Sequence, residues 1–209
     1  MLLLLNIELM QMNLRTVIFS LLCLTTEPLF LPAVLADDQS ENLVKTLGDD
    51  TVTLDTLFAE LEKATSLAEA QRVERIIWAK WHWHKMPRLS QKLMLGTTYL
   101  QENNFKKALY FFNNIIKEAP AFSEAYNKRA TTYFLMKKYD KSLMDIKATL
   151  ALEPRHFGAL SGMGLIFMHR GEFQRALVAF TAVLKIYPFS ISAAANMKII
   201  ERELNLKAL

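Results

Sequence analysis

The chain has 209 residues, 52% of them hydrophobic and 22% charged, with only 6 Gly and 6 Pro. A composition rich in helix formers and poor in turn formers favours a helical globular domain. The single cysteine is Cys23, so residues 37–209 can form no disulfide, thiolate metal site or catalytic thiol.

The first 36 residues have the features of a secretory signal peptide. Arg15 precedes an apolar run, and small residues end the segment at Ala36. We expect cleavage after Ala36 and export to the periplasm, with translation starting at Met1 or Met12. An uncleaved membrane anchor is the alternative, although two prolines interrupt the apolar run that it would need.

Charge is distributed unevenly over the rest of the chain. Residues 37–52 are polar and acidic, and we expect a flexible leader there. From Thr53 onward, 23 Lys and Arg stand against 14 Asp and Glu. This basic body suits acidic partners or an anionic surface, and an ordinary solvated face is the simpler alternative.

Residues 53–88 predict a helical hairpin. Apolar residues at helical spacing mark its first helix: Leu54, Leu57, Phe58 and Leu61. A capping box at Ser66–Glu69 begins a second helix, which we expect to run to about His84. Because the hairpin lacks the columns of small and aromatic residues found further on, we predict a degenerate cap on the N-terminal side of a repeat array.

Three copies of a 34-residue unit follow, at residues 89–122, 123–156 and 157–190. Each predicts two helices joined by a short turn. The columns in register are Gly96, Ala130 and Gly164; Ala108, Ser142 and Ala176; Phe112, Ile146 and Phe180; and Pro120, Pro154 and Pro188. Small residues let the paired helices approach closely, large ones fill the space between layers, and proline ends the second helix.

At these residues the sequence resembles the tetratricopeptide repeat family, and short exported bacterial-type members in particular. The resemblance is carried in the first unit by Leu95-Gly96, Tyr99, Ala108, Phe112 and Pro120. It implies an all-α fold, a right-handed α-solenoid of three helix-turn-helix repeats with an N-terminal helical hairpin. An amphipathic segment within residues 191–209 predicts a C-terminal capping helix.

The resemblance also implies where a partner binds. In this family the first helix of each unit lines a concave groove, so residues in register form ladders across it. The predicted groove consists of Leu93, Asn127 and Ser161; Thr97, Thr131 and Leu165; and Leu100, Phe134 and Met168, with Ser90, Glu124 and Gly158 as a further ladder. This mixed lining suits a peptide. The alternative is that Leu100, Phe134 and Met168 pack against neighbouring helices.

One subtype of the family clamps a partner's terminal carboxylate with Lys, Asn and Arg in the groove. Leu93 and Thr97 occupy positions where that clamp needs Lys and Asn, and Asn127 with Lys128 does not restore it. We therefore expect no carboxylate clamp.

Three tryptophans and two histidines are concentrated in residues 78–84. His82 and His84 are two residues apart, which places them on different faces of a helix, so we predict no metal site. A helix end that packs on the first repeat is the favoured interpretation. An exposed partner-docking patch of tryptophans is the alternative.

The sequence contains no phosphate-binding loop, nucleophile elbow or metalloprotease motif. We predict no enzymatic activity and no cofactor, and export disfavours nucleic acid as a partner. The expected function is a non-catalytic adaptor or scaffold in the cell envelope that binds a protein or peptide. The alternatives are a membrane-anchored subunit, if the N-terminal segment is retained, and an accessory subunit of an envelope enzyme complex.

Overall fold

The computed structural model describes residues 51–207, and this part of the chain forms nine α-helices without a β-strand. They are α1 (Leu54–Lys63), α2 (Leu67–His82), α3 (Pro87–Gln101), α4 (Phe105–Glu118), α5 (Ser123–Leu135), α6 (Tyr139–Leu152), α7 (Phe157–His169), α8 (Phe173–Ile186) and α9 (Ile191–Lys207). Among these helices, none is long and apolar enough to cross a bilayer. The predicted signal peptide and most of the acidic leader lie outside the described residues.

Both helices of the N-terminal hairpin begin at a side-chain cap. The Thr53 hydroxyl accepts from the Thr56 N–H, and the Thr56 hydroxyl accepts from the Thr53 N–H, a complete capping box. Ser66 caps α2 by accepting from the Glu69 N–H. The Glu69 carboxylate, however, accepts from the N–H of Thr65 and not from that of Ser66, so the predicted box is completed one residue earlier.

Helices α3 to α8 pair as the three predicted repeats, α3 with α4, α5 with α6 and α7 with α8. Their internal turns share one backbone conformation. Asn103 and Lys137 have φ of 58° and Gly171 has φ of 70°, all in the left-handed region. Glycine adopts this region without steric cost, whereas a β-carbon makes it unfavourable for the other two. The turn geometry is therefore set by the repeat, and only repeat 3 (residues 157–190) carries the residue that suits it best.

The close approach predicted within each repeat is present in repeats 1 and 3. A β-carbon on Gly96 would lie 2.6 Å from Cε1 of Phe112, and one on Gly164 would lie 2.7 Å from Cζ of Phe180. Both rings are fully buried. Each phenylalanine thus fills the volume that the missing side chain of its partner glycine leaves open.

Repeat 2 (residues 123–156) solves the same packing problem with other residues. Ala130 and Ile146 share one buried cluster, so a larger first residue is matched by a smaller second one. Ser142, in the column of alanines, is buried and donates its hydroxyl hydrogen to the Ala130 carbonyl at 2.8 Å. Arg129 stands where repeat 1 (residues 89–122) has a leucine, and it forms a two-pronged ion pair with Asp145 at 2.6 and 2.7 Å.

The two ends of the repeat array differ. At the C-terminal end α9 packs on α8 and buries Ala193 and Ile200, as expected of a capping helix. At the other end the N-terminal hairpin does not take the predicted position. Its main contacts outside itself are with α5 and α8, rather than with the first repeat. Through α5 the hairpin reaches the first helices of the repeats, which carry the predicted groove.

Candidate protein-binding face

Helix α2 crosses the first helices of the repeats in the direction opposite to their order in the chain. In the middle of α2, Glu74 accepts a hydrogen bond at 2.9 Å from the hydroxyl of Tyr187, which lies near the end of repeat 3. Just beyond its end, the His84 N–H donates to Ser90 Oγ at 2.8 Å in repeat 1. The predicted ladder of Ser90, Glu124 and Gly158 lies along this path, so α2 covers this ladder of the groove.

An aromatic cluster fixes α2 to repeat 3. The ring of Trp81 stacks on that of His156, with centroids 3.9 Å apart and an angle of 7° between the planes. Trp78 meets Phe157 edge to face at 5.4 Å, and Phe58 of α1 meets the same ring at 6.5 Å. Large buried rings contribute most of the stability of such a contact. Trp78 and Trp81 thus pack on the start of α7, and within residues 78–84 it is His84 that contacts repeat 1, the position predicted for the whole segment.

The third tryptophan of this segment behaves differently. Trp83 is 51% exposed, so only this ring is available to a partner. The tryptophan docking patch considered for residues 78–84 is therefore reduced to a single side chain.

A buried carboxylate lies beneath α2, in the middle residue of this ladder. Glu124 is fully buried, and its Oε2 is 2.9 Å from Nε2 of His156. Its Oε1 is 3.3 Å from Nζ of Lys128 and 3.4 Å from Nε2 of His82. Asn127 donates to Oε2 at 3.0 Å. Burial alone would raise the pKa of Glu124, but the Lys128 cation and the hydrogen bond from His156 hold it well below its usual range.

The hydrogen-bond partners assign the tautomers of the two imidazoles. Nδ1 of His156 accepts from the Ala159 N–H, so Nε2 carries the proton and donates to Glu124. Nδ1 of His82 lies 2.7 Å from the Trp78 carbonyl oxygen and therefore donates to it. Burial, together with the Lys128 cation, lowers the pKa of His82 to about 4. At neutral pH the charge that balances Glu124 therefore comes from Lys128.

Four of the nine predicted groove residues expose little surface. Leu93 is 0% exposed, Leu100 6%, Asn127 7% and Leu165 8%. Leu93 and Leu100 belong to the core between repeats 1 and 2, because α5 packs over them. The alternative of packing against neighbouring helices is thus the correct one for Leu100. Asn127 is engaged by Glu124 and is not free to bind a partner's backbone.

The other five are half-buried and, by their register, lie on the first helices of the repeats. They are called here the open inner strip: Thr97, Thr131, Ser161, Phe134 and Met168. The two threonine hydroxyls donate to the carbonyl oxygens of the preceding turn, at 2.9 and 3.0 Å. Their oxygens remain able to accept. The Phe134 ring lies edge to face with His169 at 5.4 Å, which fixes one apolar anchor of the strip.

The described residues offer no evident metal centre, since residues 51–207 contain no group of three or more His, Cys, Asp or Glu placed to hold an ion. His82 and His84 have separate partners, but α2 ends at His82, so the two imidazoles are not on one helix as predicted. His82 bonds within α2, and the His84 ring packs on Phe122 with centroids 5.0 Å apart.

Helical hairpins of equal length, stacked in register with their first helices forming one face, define a helical-repeat solenoid. A tetratricopeptide repeat model matches residues 159–190. A TPR repeat-containing protein of Rhizobium etli is 32% identical over 151 residues, which cover 72% of this chain and 74% of that protein. The chain belongs to the tetratricopeptide repeat family.

Solved structures show the same fold. The first TPR domain of Spaghetti (RPAP3), bound to the HSP90 peptide SRMEEVD, superposes with a TM-score of 0.53 at 20% identity, covering 56% of this chain and 93% of that domain. The Sgt2 TPR domain of Aspergillus fumigatus gives a TM-score of 0.54 at 17% identity, over 57% and 81%. These similarities confirm the predicted all-α solenoid.

Proposed function

We propose that this protein is a non-catalytic scaffold of the cell envelope that binds a segment of a partner protein on the inner face of its repeats. The observation that carries the proposal is that this face already binds a helix, since α2 docks there through Trp78 and Trp81 over the buried Glu124. A surface built to hold one helix in the same chain has the shape and chemistry to hold a second segment beside it.

The open inner strip supplies the contacts for that segment. Phe134 and Met168 offer apolar anchors, and the hydroxyls of Thr97, Thr131 and Ser161 can accept from a peptide backbone. A peptide bound on this fold has a counterpart in the Spaghetti TPR domain, which holds an HSP90 peptide.

Recognition by a terminal carboxylate is not part of the proposal. At the positions that the clamp requires, Leu93 is buried and Asn127 and Lys128 are both committed to Glu124. We therefore propose that the partner is held along its length, through side chains.

Absence of catalysis is supported by the accessibility of the most suggestive acid–base pair. Glu124 and His156 form the hydrogen-bonded pair that a general acid–base site would use, but both are 0% exposed. A substrate cannot reach either group while α2 is docked. Export rests on the N-terminal sequence, with its basic residue, apolar run and small residues before Asp37.

Site-specific photocrosslinking in cells of the native host tests the proposal. A photoreactive amino acid replaces Thr131 or Met168 in the tagged full chain, and Leu95, an exposed residue of α3 on the outer end of the array, serves as the matched control. We expect one partner to be crosslinked from the two inner positions and not from Leu95, and the mature chain to begin at Asp37.

Crosslinking from Leu95 alone, or equally from all three positions, would show that the inner face is not the binding site. An intact N-terminus in the membrane fraction would replace the exported scaffold by the membrane-anchored alternative. Mass spectrometry of the same sample identifies both the crosslinked partner and the N-terminus of the chain.

A further inference from the structure

A column of exposed apolar side chains crosses the second helices of the repeats. Tyr110, Met144 and Val178 occupy equivalent positions in α4, α6 and α8, spaced by the repeat length. They are 64%, 70% and 71% exposed, the highest values among the large exposed hydrophobic residues of the described chain. Core packing explains the other repeated apolar columns but not this one, because these side chains point to solvent.

A column of cations runs beside it. One helical turn before each apolar residue stands an exposed Lys or Arg, and each cation lies over an aromatic ring of the paired helix. The pairs are Lys107 over Tyr99 at 4.6 Å, Lys141 over Tyr133 at 5.7 Å and Arg175 over Phe167 at 3.9 Å. The rings hold the apolar stems of these side chains in place while the charges stay accessible to solvent.

The charge of this surface is strongly one-sided. Among the exposed charged side chains of the three second helices, seven are cations and one is an anion: Lys106, Lys107, Lys117, Lys141, Lys147, Arg175 and Lys185 against Asp140. That anion is paired with Arg170 at 2.6 Å, and Glu172 at the start of α8 pairs with Arg175. We name this surface, with its apolar and cationic columns, the outer basic face.

We propose that the outer basic face binds an anionic phospholipid surface. A row of apolar side chains flanked by a row of cations matches the boundary between acyl chains and anionic headgroups. A second copy of the chain is a less suitable occupant, because both faces would carry the same excess of cations.

A peptide segment is a less suitable occupant than a lipid surface. The helices satisfy their own backbone groups, so they offer an extended peptide no edge for hydrogen bonding. The columns repeat an apolar and a cationic side chain in all three repeats, and the pocket that Tyr110 and Lys117 line lies within repeat 1. Lipid binding goes beyond the proposed scaffold function and does not depend on it, since the open inner strip lies on the first helices.

Vesicle cosedimentation of the full chain tests the proposal. The vesicles are phosphatidylcholine alone, or phosphatidylcholine and phosphatidylglycerol in equal parts. We expect partition to be stronger on the anionic vesicles by about tenfold or more, and to weaken with salt. The stronger partition on anionic vesicles should be lost in two variants: the triple variant Tyr110→Ser/Met144→Ser/Val178→Ser and the double variant Lys107→Glu/Lys141→Glu. It should remain in Leu95→Ser, which changes an exposed apolar residue outside the face.

A fluorescent reporter locates the contact, because the apolar N-terminal segment contributes equally to the partition of every variant. An environment-sensitive dye is attached at Met144→Cys or, as the control, at Leu95→Cys, both in a Cys23→Ser chain. We expect a blue shift on anionic vesicles at position 144 alone. Equal partition of all variants, or no shift at position 144, would overturn the proposal. A shift caused by soluble polyglutamate but not by vesicles would assign the face to an acidic protein segment and also overturn it.

Discussion

Nε2 of His156 donates to Oε2 of Glu124 at 2.9 Å, and this bond joins two residues with no exposed surface, one at the start of α5 and the other the N-cap of α7. The same imidazole is covered by the indole of Trp81 from the N-terminal hairpin. One buried carboxylate thus connects α5, the start of α7 and α2. Because a buried charge is tolerated only with its partners in place, these three parts of the chain depend on each other for stability.

Removal of this carboxylate should be costly. We expect Glu124→Ala to lower the free energy of unfolding by about 3–5 kcal/mol, since Lys128 loses its counterion in a buried setting. Glu118→Ala is the control, because its carboxylate is partly exposed and pairs with Lys92 and Arg88 at the surface. The control should cost about 1 kcal/mol or less. Urea unfolding followed by circular dichroism measures both, and equal costs would contradict this account.

Stability should fall on mild acidification because of His82. In the unfolded chain its pKa is about 6.5, whereas burial lowers the pKa to about 4 in the folded chain. Between these values the unfolded state binds the additional proton, so unfolding becomes easier as the pH falls. Burial also lowers the pKa of His84 and of His169, which adds to the same trend.

The matched variant is His82→Gln, which can still donate to the Trp78 carbonyl. We expect its urea midpoint to change less than that of the wild type between about pH 6.5 and about pH 4.5. Glu124 does not contribute in this window, since its lowered pKa preserves its stabilising charge until more acidic pH. An identical pH dependence of variant and wild type would contradict the assignment to His82.

Two glycine-to-alanine changes should have different effects on stability. At Gly96 the new β-carbon would lie 2.6 Å from the Phe112 ring, whereas at Gly162 it would lie 3.6 Å from Ile146, an ordinary contact. Both sites are helical, so the gain in helix propensity cancels in the comparison. Thermal unfolding should show Gly96→Ala less stable than Gly162→Ala by about 1–3 kcal/mol. Equal stabilities would mean that Gly96 does not hold the predicted packing position.

The turn of repeat 2 offers a stabilising change. Lys137 has φ of 58°, so its β-carbon is strained, and Lys137→Gly should raise the free energy of unfolding by about 0.5–1 kcal/mol. Gly171→Ala, at the equivalent turn with φ of 70°, should lower it by about 1 kcal/mol. Chemical denaturation measures both changes. A loss of stability in Lys137→Gly would show that the Lys137 side chain stabilises the turn by more than its backbone strain costs.

The repeats could be predicted from the sequence because the information is local and appears three times. The sequence places the start of repeat 1 at residue 89, and its first helix α3 begins at Pro87 and ends at Gln101. Pairing of Gly96 with Phe112 followed from the register alone. The burial of individual groove residues was less predictable. Register places Leu100 and Phe134 in equivalent positions, but Leu100 is buried, whereas Phe134 packs against the core of repeat 2 and stays half-buried.

The position of the hairpin could not be deduced from its own pattern, because an apolar face on α2 does not identify the surface that covers it. A signal was present elsewhere, in the outward face of repeat 1. Polar residues stand there one repeat length before apolar ones that stack between repeats: Arg88, Gln91 and Lys92 precede Phe122, Ala125 and Tyr126 by 34 residues. Such a face is suited to solvent and does not need the hairpin as a cover.

Amide hydrogen exchange of Gly158→Leu tests most directly whether α2 is docked on the inner face. A β-carbon at Gly158 would lie 2.5 Å from Cη2 of Trp78, so leucine should displace α2 without altering the hairpin's own sequence. We predict faster exchange in residues 67–82, with α3 to α9 still protected, and wild-type exchange in the control Gly162→Ala. Unchanged protection of α2 in Gly158→Leu would contradict the docking of the hairpin on this face.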